Sequence, residues 1–377
     1  MTKDELAAWA KDPRRQDTLP FGLYEEPYQK GIVGAALVVR GVVYFTGGHT
    51  KPVRDALVHC YERYMAAIDE YARAFAKAAE MPPPMASPMR WFYEEGKRPI
   101  EFAKARGFPN LAREQPSSAL VVSQTTSADH KLAAGFFAFG VFCFENWQAD
   151  YALDTVEFSV PRRFLQLCPG VFEKLFAEFV MALPTRWGHA GFGVNLPPTG
   201  REPNEASENF WSRLYGPGID VGNPMGHETI TVRDRIKTVD WLTALDVDFV
   251  RRVGGADKLM LPPDWFRKTP LGDGSLIIQA GAEPAAGVPQ GKGIPPQPPA
   301  AYVLLNHALH SIVADTSDIL QGGTVNSTAP LLNTRVATEV WLRRFDVPDE
   351  KINGYWVDLH KTPKLPPAGS SRGNTSA

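Results

Sequence analysis

The sequence predicts an α+β protein, with mixed or antiparallel sheets and packed amphipathic helices, and three observations carry that expectation. Two stretches, Val53 to Phe75 and Val171 to Leu183, repeat their apolar residues at helical spacing. Other runs alternate apolar and polar residues as half-buried strands do. Glycine and proline punctuate most junctions, which suits many short elements better than a helical bundle.

Residues 1–30 read as a polar N-terminal arm. Ala35 to Thr46 is rich in valine and aromatics and is interrupted by Gly41, which predicts two short strands meeting at a turn. Gly47-Gly48-His49-Thr50 offers a turn and an N-cap, with Pro52 in the first helical turn where its missing N–H costs nothing. The helix that follows places Leu57, Tyr61, Tyr64, Ile68 and Phe75 on one stripe and stops before Pro82-Pro83-Pro84. A stiff connection over 81–90 and a short helix near 99–107 come next. Leu132 to Phe144 is the longest apolar run; its thirteen residues fall short of the ~20 a membrane span requires, so it reads as a buried strand or core segment.

Val156, Phe158 and Val160 alternate with Thr155, Glu157 and Ser159, a strand pattern. A second helix starts after Pro169-Gly170 and closes at Pro184, and Phe192, Val194 and Leu196 then alternate with Gly191, Gly193 and Asn195. Strands are expected near 229–233 and 274–280, and helices near 240–253, 301–313 and 333–345. Glu283 to Ala300 is too rich in proline and glycine to pack, and the tail after Thr362 is disordered by composition. The order of strand 36–46 before helix 51–76, and strand 155–160 before helix 170–183, raises the option of two similar α/β subdomains. They would span 31–150 and 151–345, with a C-terminal extension over 346–377.

Bulk composition excludes some functions. Forty basic against 42 acidic residues leave a net charge of −2, which argues against binding nucleic acid or an anionic membrane through overall charge. Cys60, Cys143 and Cys168 are too dispersed for a disulfide framework or a short-spaced zinc site. With no apolar leader at Met1-Thr2-Lys3-Asp4-Glu5-Leu6, the expected home is the cytoplasm.

Motifs for chemistry are weak. His307 and His310 share a helical face with Asp315 and Asp318 nearby, a pattern that more often means a solvated surface than a metal site. Gly287 to Gly293 lacks the spacing and the Ser/Thr after Lys292 that a phosphate loop needs. Asp246 and Asp248 fall in an expected helix, where such a pair points apart, and His189 with Cys168 is the nearest approach to a nucleophile pair. No cofactor and no metal are expected. The feature that points furthest toward binding is Glu145, Trp147, Asp150, Tyr151, Asp154 and Glu157, an acidic and aromatic stretch without a basic residue. Carboxylates steer a cationic partner and aromatics supply contact area. Glu202, Glu205 and Glu208 around Trp211 form a weaker stretch. Trp91 and Tyr93 with Glu94 and Glu95 form a third, partly offset by Lys97 and Arg98.

The central block, Gly191-Phe192-Gly193-Val194-Asn195-Leu196-Pro197, then Tyr215-Gly216-Pro217-Gly218-Ile219-Asp220-Val221-Gly222, then Lys237-Thr238-Val239-Asp240-Trp241-Leu242-Thr243, resembles the type VI secretion immunity family. Leu276 to Gly281 and the segment from Val42 to Met65 fit the same pattern, so the resemblance spans roughly residues 30 to 345. It implies a cytoplasmic immunity protein that binds a cognate toxin, a nuclease domain, and blocks its active site. It brings no catalytic residues, no direct nucleic-acid contact and no membrane association, and it leaves self-pairing as a homodimer open. A charge of −2 favours occlusion by shape and a few local carboxylates over wholesale mimicry of DNA. The competing expectation is a hydrolase or metal-dependent enzyme assembled from dispersed residues such as His189, His307 and His310.

Overall fold

A computed structural model describes residues 33–82, 87–149, 151–199, 216–225, 232–291, 294–315 and 335–367, with Ser212 and the backbone of 18–20. The strands are β1 (Thr18–Pro20), β2 (Val33–Phe45), β3 (Trp91–Glu94), β4 (Ile100–Glu101), β5 (Leu120–Thr125), β6 (Ala138–Cys143), β7 (Asp154–Pro161), β8 (Thr185–Asn195), β9 (Leu242–Leu245), β10 (Phe266–Pro270) and β11 (Leu276–Ala280). They form one antiparallel sheet in the order β10-β11-β9-β8-β2-β7-β6-β5-β3-β4, with β1 added to β2. The α-helices are α1 (Lys51–Ala78), α2 (Phe108–Glu114), α3 (Phe164–Leu167), α4 (Val171–Ala182), α5 (Val247–Arg252), α6 (Ala300–Leu309), α7 (Arg335–Leu342) and α8 (Asp349–Leu359). The α+β expectation is met, with the sheets all antiparallel.

Strand β2 is the axis of the fold. Instead of two short strands turning at Gly41, the chain runs straight through, pairing with β7 on one side and β8 on the other. Gly41 serves packing here: a Cβ at this position would overlap the ring of Phe158 on β7. Since β2 lies between two strands from beyond residue 150, the sheet is unbroken across the expected subdomain boundary. After α1 the chain moves to the β4 edge and works inward to β6, whereas after α4 it works outward from β8. The two strand–helix starts therefore share a local pattern and not a topology.

Alternation along the strands sorts two faces. Toward one, Phe158, Phe139 and Val156 meet Tyr64 and Ile68 of α1 and Phe172, Phe176 and Phe179 of α4. Phe158 lies 4.6 Å from Phe179 and 5.4 Å from Phe172, centroid to centroid. Each such ring, taken wholly out of water, contributes about 1.5–3 kcal/mol. Helix α1 begins where Gly47, at φ 77°, turns the chain and Thr50 N–H donates to Gly47 O at 2.8 Å. The Thr50 hydroxyl also donates to Gly47 O and so stabilises the turn rather than capping the helix.

Other expectations need correction. Residues 242–245 form strand β9 instead of the first turn of a helix, because this apolar run is buried on both faces between β8 and β11. Asp246 then caps α5 by accepting from Phe249 N at 2.8 Å. The proline- and glycine-rich loop from Glu283 to Ala300 does pack: Ala286 O accepts from Gly218 N at 2.6 Å, and Ala285 N donates to Tyr302 Oη at 3.0 Å. Past Thr362, residues 363–367 dock on β10, with Leu365 N donating to Asp264 O and Arg267 Nη2 to Pro366 O. Near 99–107 the chain forms β4 and a 3-10 turn, Phe102–Lys104, before α2. Of the strand expected near 229–233, residues 229–231 lie outside the described residues, as does most of the N-terminal arm, while Val232 and Arg233 form a turn and a bend instead of a strand.

Candidate binding surface and a buried charge cluster

The connection between β6 and β7 carries the acidic and aromatic stretch. It makes a 3-10 turn at Asn146–Gln148 that leaves Trp147 69% and Tyr151 70% exposed. Glu145, itself exposed, accepts a hydrogen bond from Trp147 Nε1 at 2.6 Å and so fixes the indole at the surface. Asp150, Glu202, Glu205 and Trp211 lie outside the described residues.

Asp154 does not belong to that surface. It is 4% exposed, and its carboxylate accepts from Gly48 N at 2.7 Å and Phe144 N at 2.9 Å. Buried Arg54 donates to Gly48 O and, at 2.6 Å, to Ser118 O, so the base of the loop is tied to the start of α1. Burial raises the Asp154 pKa, against the two amides and the charge of Arg54. Asparagine here can accept only one of the two N–H groups, since its NH2 faces the other. D154N is expected to lower stability by about 1–3 kcal/mol in urea unfolding, the usual cost of a buried polar group left unsatisfied. Glu157 stands half-buried on the open face of β7, and Glu94 is paired with Lys97 at 2.5 Å.

On the sheet face opposite α1 and α4, over β2, β8 and β9, lies a knot of charge. Arg40 reaches Asp220 at 2.5 Å, and Lys237 Nζ reaches it at 2.8 Å while donating to Val221 O at 2.7 Å. His189 lies between two carboxylates, with Nδ1 3.5 Å from Asp240 and Nε2 3.9 Å from Asp220. Its ring continues a stack of Tyr44 on Trp187, whose centroids are 4.2 Å apart. Helix α7 closes the knot through Arg344, which lies just past its end, 3.4 Å over the Trp341 ring, and donates to Thr238 Oγ1 at 2.8 Å and Pro217 O at 2.5 Å. Burial pushes the Asp220 carboxyl up, but Lys237, Arg40 and His189 outweigh it and hold the group well below the usual carboxylate range.

The glycines of the central block make room for this knot. A Cβ on Gly191 would overlap the Asp240 carboxylate, and one on Gly193 would stand 2.8 Å from Arg40 Nε. Asp220 is held against the same strand by its N–H to Phe192 O at 2.7 Å. The three stretches that carry the family resemblance thus meet at one place, and they meet around charge. G191A is expected to cost about 1–3 kcal/mol in denaturant unfolding, the range for overpacking a filled interior.

Chemistry at this knot is disfavoured by access. His189, Asp220, Lys237 and Asp240 are each no more than 2% exposed, out of reach of a substrate. Burial also pushes the thiols up, Cys168 to about 11 and Cys60 to about 12, so neither supplies a thiolate at neutral pH. His307 and His310 sit exposed on and just after α6 whereas His189 is buried, and Asp248 spends its charge on Arg186 and Arg251. Sequence reading missed Arg40, Asp220, Lys237, Asp240 and Arg344 as a group. The available signal was Gly191 and Gly193 at alternate positions of one strand, which means large side chains crossing over it.

Fold and cluster together define a class: a single broad sheet, backed by helices, whose distinctive residues set shape and whose most exposed aromatics, among the described residues, stand on an acidic loop. More particularly, the chain belongs to the TsiV family, type VI immunity for VRR-NUC, whose profile matches residues 56–345. It is similar to the solved structure of the Pseudomonas aeruginosa T6SS protein PA0821, with 30% identity and a TM-score of 0.82 over 99% of each chain. No curated protein matches the sequence significantly.

Proposed function

We propose that this protein binds a VRR-NUC nuclease effector and neutralises it by covering its active site. Family membership supports the effector class. The observation that carries the contact is the loop after β6, where Trp147 and Tyr151 are held out to solvent beside Glu145 on a base fixed by Asp154 and Arg54. Interfaces concentrate their affinity in such aromatics, and a nuclease is typically basic around its nucleic-acid groove. The protein contacts the effector and not the DNA, and its place of action is the cytoplasm, where a nuclease meets its substrate. Among the described residues no helix is long and apolar enough to cross a membrane.

The test is co-expression with the VRR-NUC effector encoded beside it, scored for survival, together with DNA cleavage by the purified nuclease domain. Stoichiometric immunity protein should abolish cleavage, with a Kd in the nanomolar range or tighter, since nuclease–immunity pairs reach ~10⁻¹³ M and below. Unchanged cleavage at tenfold excess would refute the proposal, as would turnover of a small molecule by the immunity protein alone.

A further inference from the structure

The loop that carries Trp147 and Tyr151 is closed at its base by one carboxylate. Asp154, its last residue, accepts from the N–H of Phe144, its first, and from Gly48 N in the turn before α1. Arg54, 1% exposed in the first turn of α1, donates Nε to Gly48 O and Nη2 to Ser118 O at 2.6 Å and Pro116 O at 3.1 Å. One planar fork therefore joins the turn before α1 to the turn before β5. That second turn closes with Ser118 N donating to Gln115 O at 3.0 Å, and its Ser117 O accepts from Asn146 N at 3.4 Å, inside the aromatic loop. The loop's own backbone adds Gln148 N to Glu145 O and Tyr151 N to Gln148 O, both 2.9 Å, and Ala152 and Leu153 are buried in its last stem. Three separate connections of the chain thus meet on Arg54.

We infer that Arg54 is a positioning residue for the effector contact: it holds Trp147 and Tyr151 in their binding arrangement before the effector arrives. The inference rests on the binding function proposed above. Ordering a loop during association subtracts from affinity, and a loop ordered in advance avoids that loss. Where only a fraction of chains holds the competent arrangement, apparent affinity falls by that fraction, and the fall is read in the association rate. Loss of a direct contact is read in dissociation instead. Arg54 is buried and touches no partner, so any effect it has on binding passes through the loop. Lysine cannot replace it there: it keeps a charge near Asp154 but brings one nitrogen to serve Gly48 O, Pro116 O and Ser118 O.

Amide hydrogen exchange of the free full-length chain, with binding kinetics toward the purified VRR-NUC domain, tests this on R54K, with I68A as a core truncation elsewhere on α1. In R54K, peptides covering 144–154 are expected to exchange about tenfold faster, and association to slow about tenfold at low and high salt alike, with dissociation changed less than about threefold. I68A should lower the urea midpoint and leave the association rate of the folded chain unchanged. In a W147A/Y151A background R54K should cost less than about threefold, because its route to the partner is gone. If either loop exchange or association in R54K stays within threefold of the wild type, or if R54K costs as much without the two aromatics as with them, the inference is overturned. Should R54K fail to fold, D154N, which loosens the same closure, decides by the same readings. A wild-type chain that does not bind the nuclease domain refutes the proposed function and the inference with it, whereas a wild type that binds while R54K associates normally overturns the inference alone.

Discussion

Replacing Asp220 by alanine is expected to destabilise the protein by about 3–5 kcal/mol, because removal of one member of a buried ion pair strands the opposing charge away from water. Here two cations are stranded together: Arg40, 4% exposed, and Lys237, fully buried, both close on this one carboxylate. Domain stabilities are typically only 5–15 kcal/mol, so D220A should move the urea midpoint far to the left and leave a large unfolded fraction at growth temperature. D220N, which keeps shape and an acceptor, should cost less. Simultaneous replacement of Arg40, Asp220 and Lys237 by apolar residues of similar volume should cost less still, since it removes the charges instead of unpairing them. The folded-state pKa of Asp220 is depressed, so its contribution is present above the unfolded value of about 4 and is lost only as pH falls through the folded value, well below that. The gap between wild type and D220A should therefore persist in unfolding curves down to about pH 4. A gap that closes by pH 5, or a D220A midpoint equal to the wild type, would show that the knot is not held by this charge.

This cluster also marks the limit of what the sequence could show. Helices α1 and α4 were legible because a period near 3.6 is a local property, and Leu57, Tyr64 and Ile68 or Phe172, Phe176 and Phe179 declare it within a few turns. The alternation of 155–160 was equally local, although its polar side, Thr155 and Ser159, turned out to be buried as well. Arg40, His189, Asp220, Lys237 and Arg344 meet only because β2 lies beside β8 and later segments cross over both, and no local pattern encodes that meeting. Gly41 was misread for the same reason: glycine marks a turn or a close approach, and only the position of Phe158 decides which. Asp154 shows the converse error. Composition put it with Glu145 and Trp147, and residue type alone cannot tell a carboxylate facing solvent from one that accepts two backbone N–H bonds.

The second large effect is functional and should leave the fold untouched. Trp147 and Tyr151 are the two most exposed aromatic side chains among the described residues, and Trp147 donates its indole N–H within its own turn, to Glu145. W147A/Y151A is therefore expected to stay within about 0.5 kcal/mol of the wild type in denaturant unfolding, as surface substitutions do. Toward the nuclease domain the same double variant should lose heavily. Truncation of a central interface aromatic costs about 2 kcal/mol or more, roughly 30-fold in Kd, so the pair approaches 10³-fold where the two act independently. Most of that loss should appear as faster dissociation. E145K, by contrast, removes both the clamp on the indole and a steering charge, and should reduce the association rate most at low ionic strength, where screening is weakest. Surface plasmon resonance at two salt concentrations separates the two effects. Should W147A/Y151A protect cells and bind within threefold of the wild type, the loop is not the contact, and the search moves to other faces of the sheet.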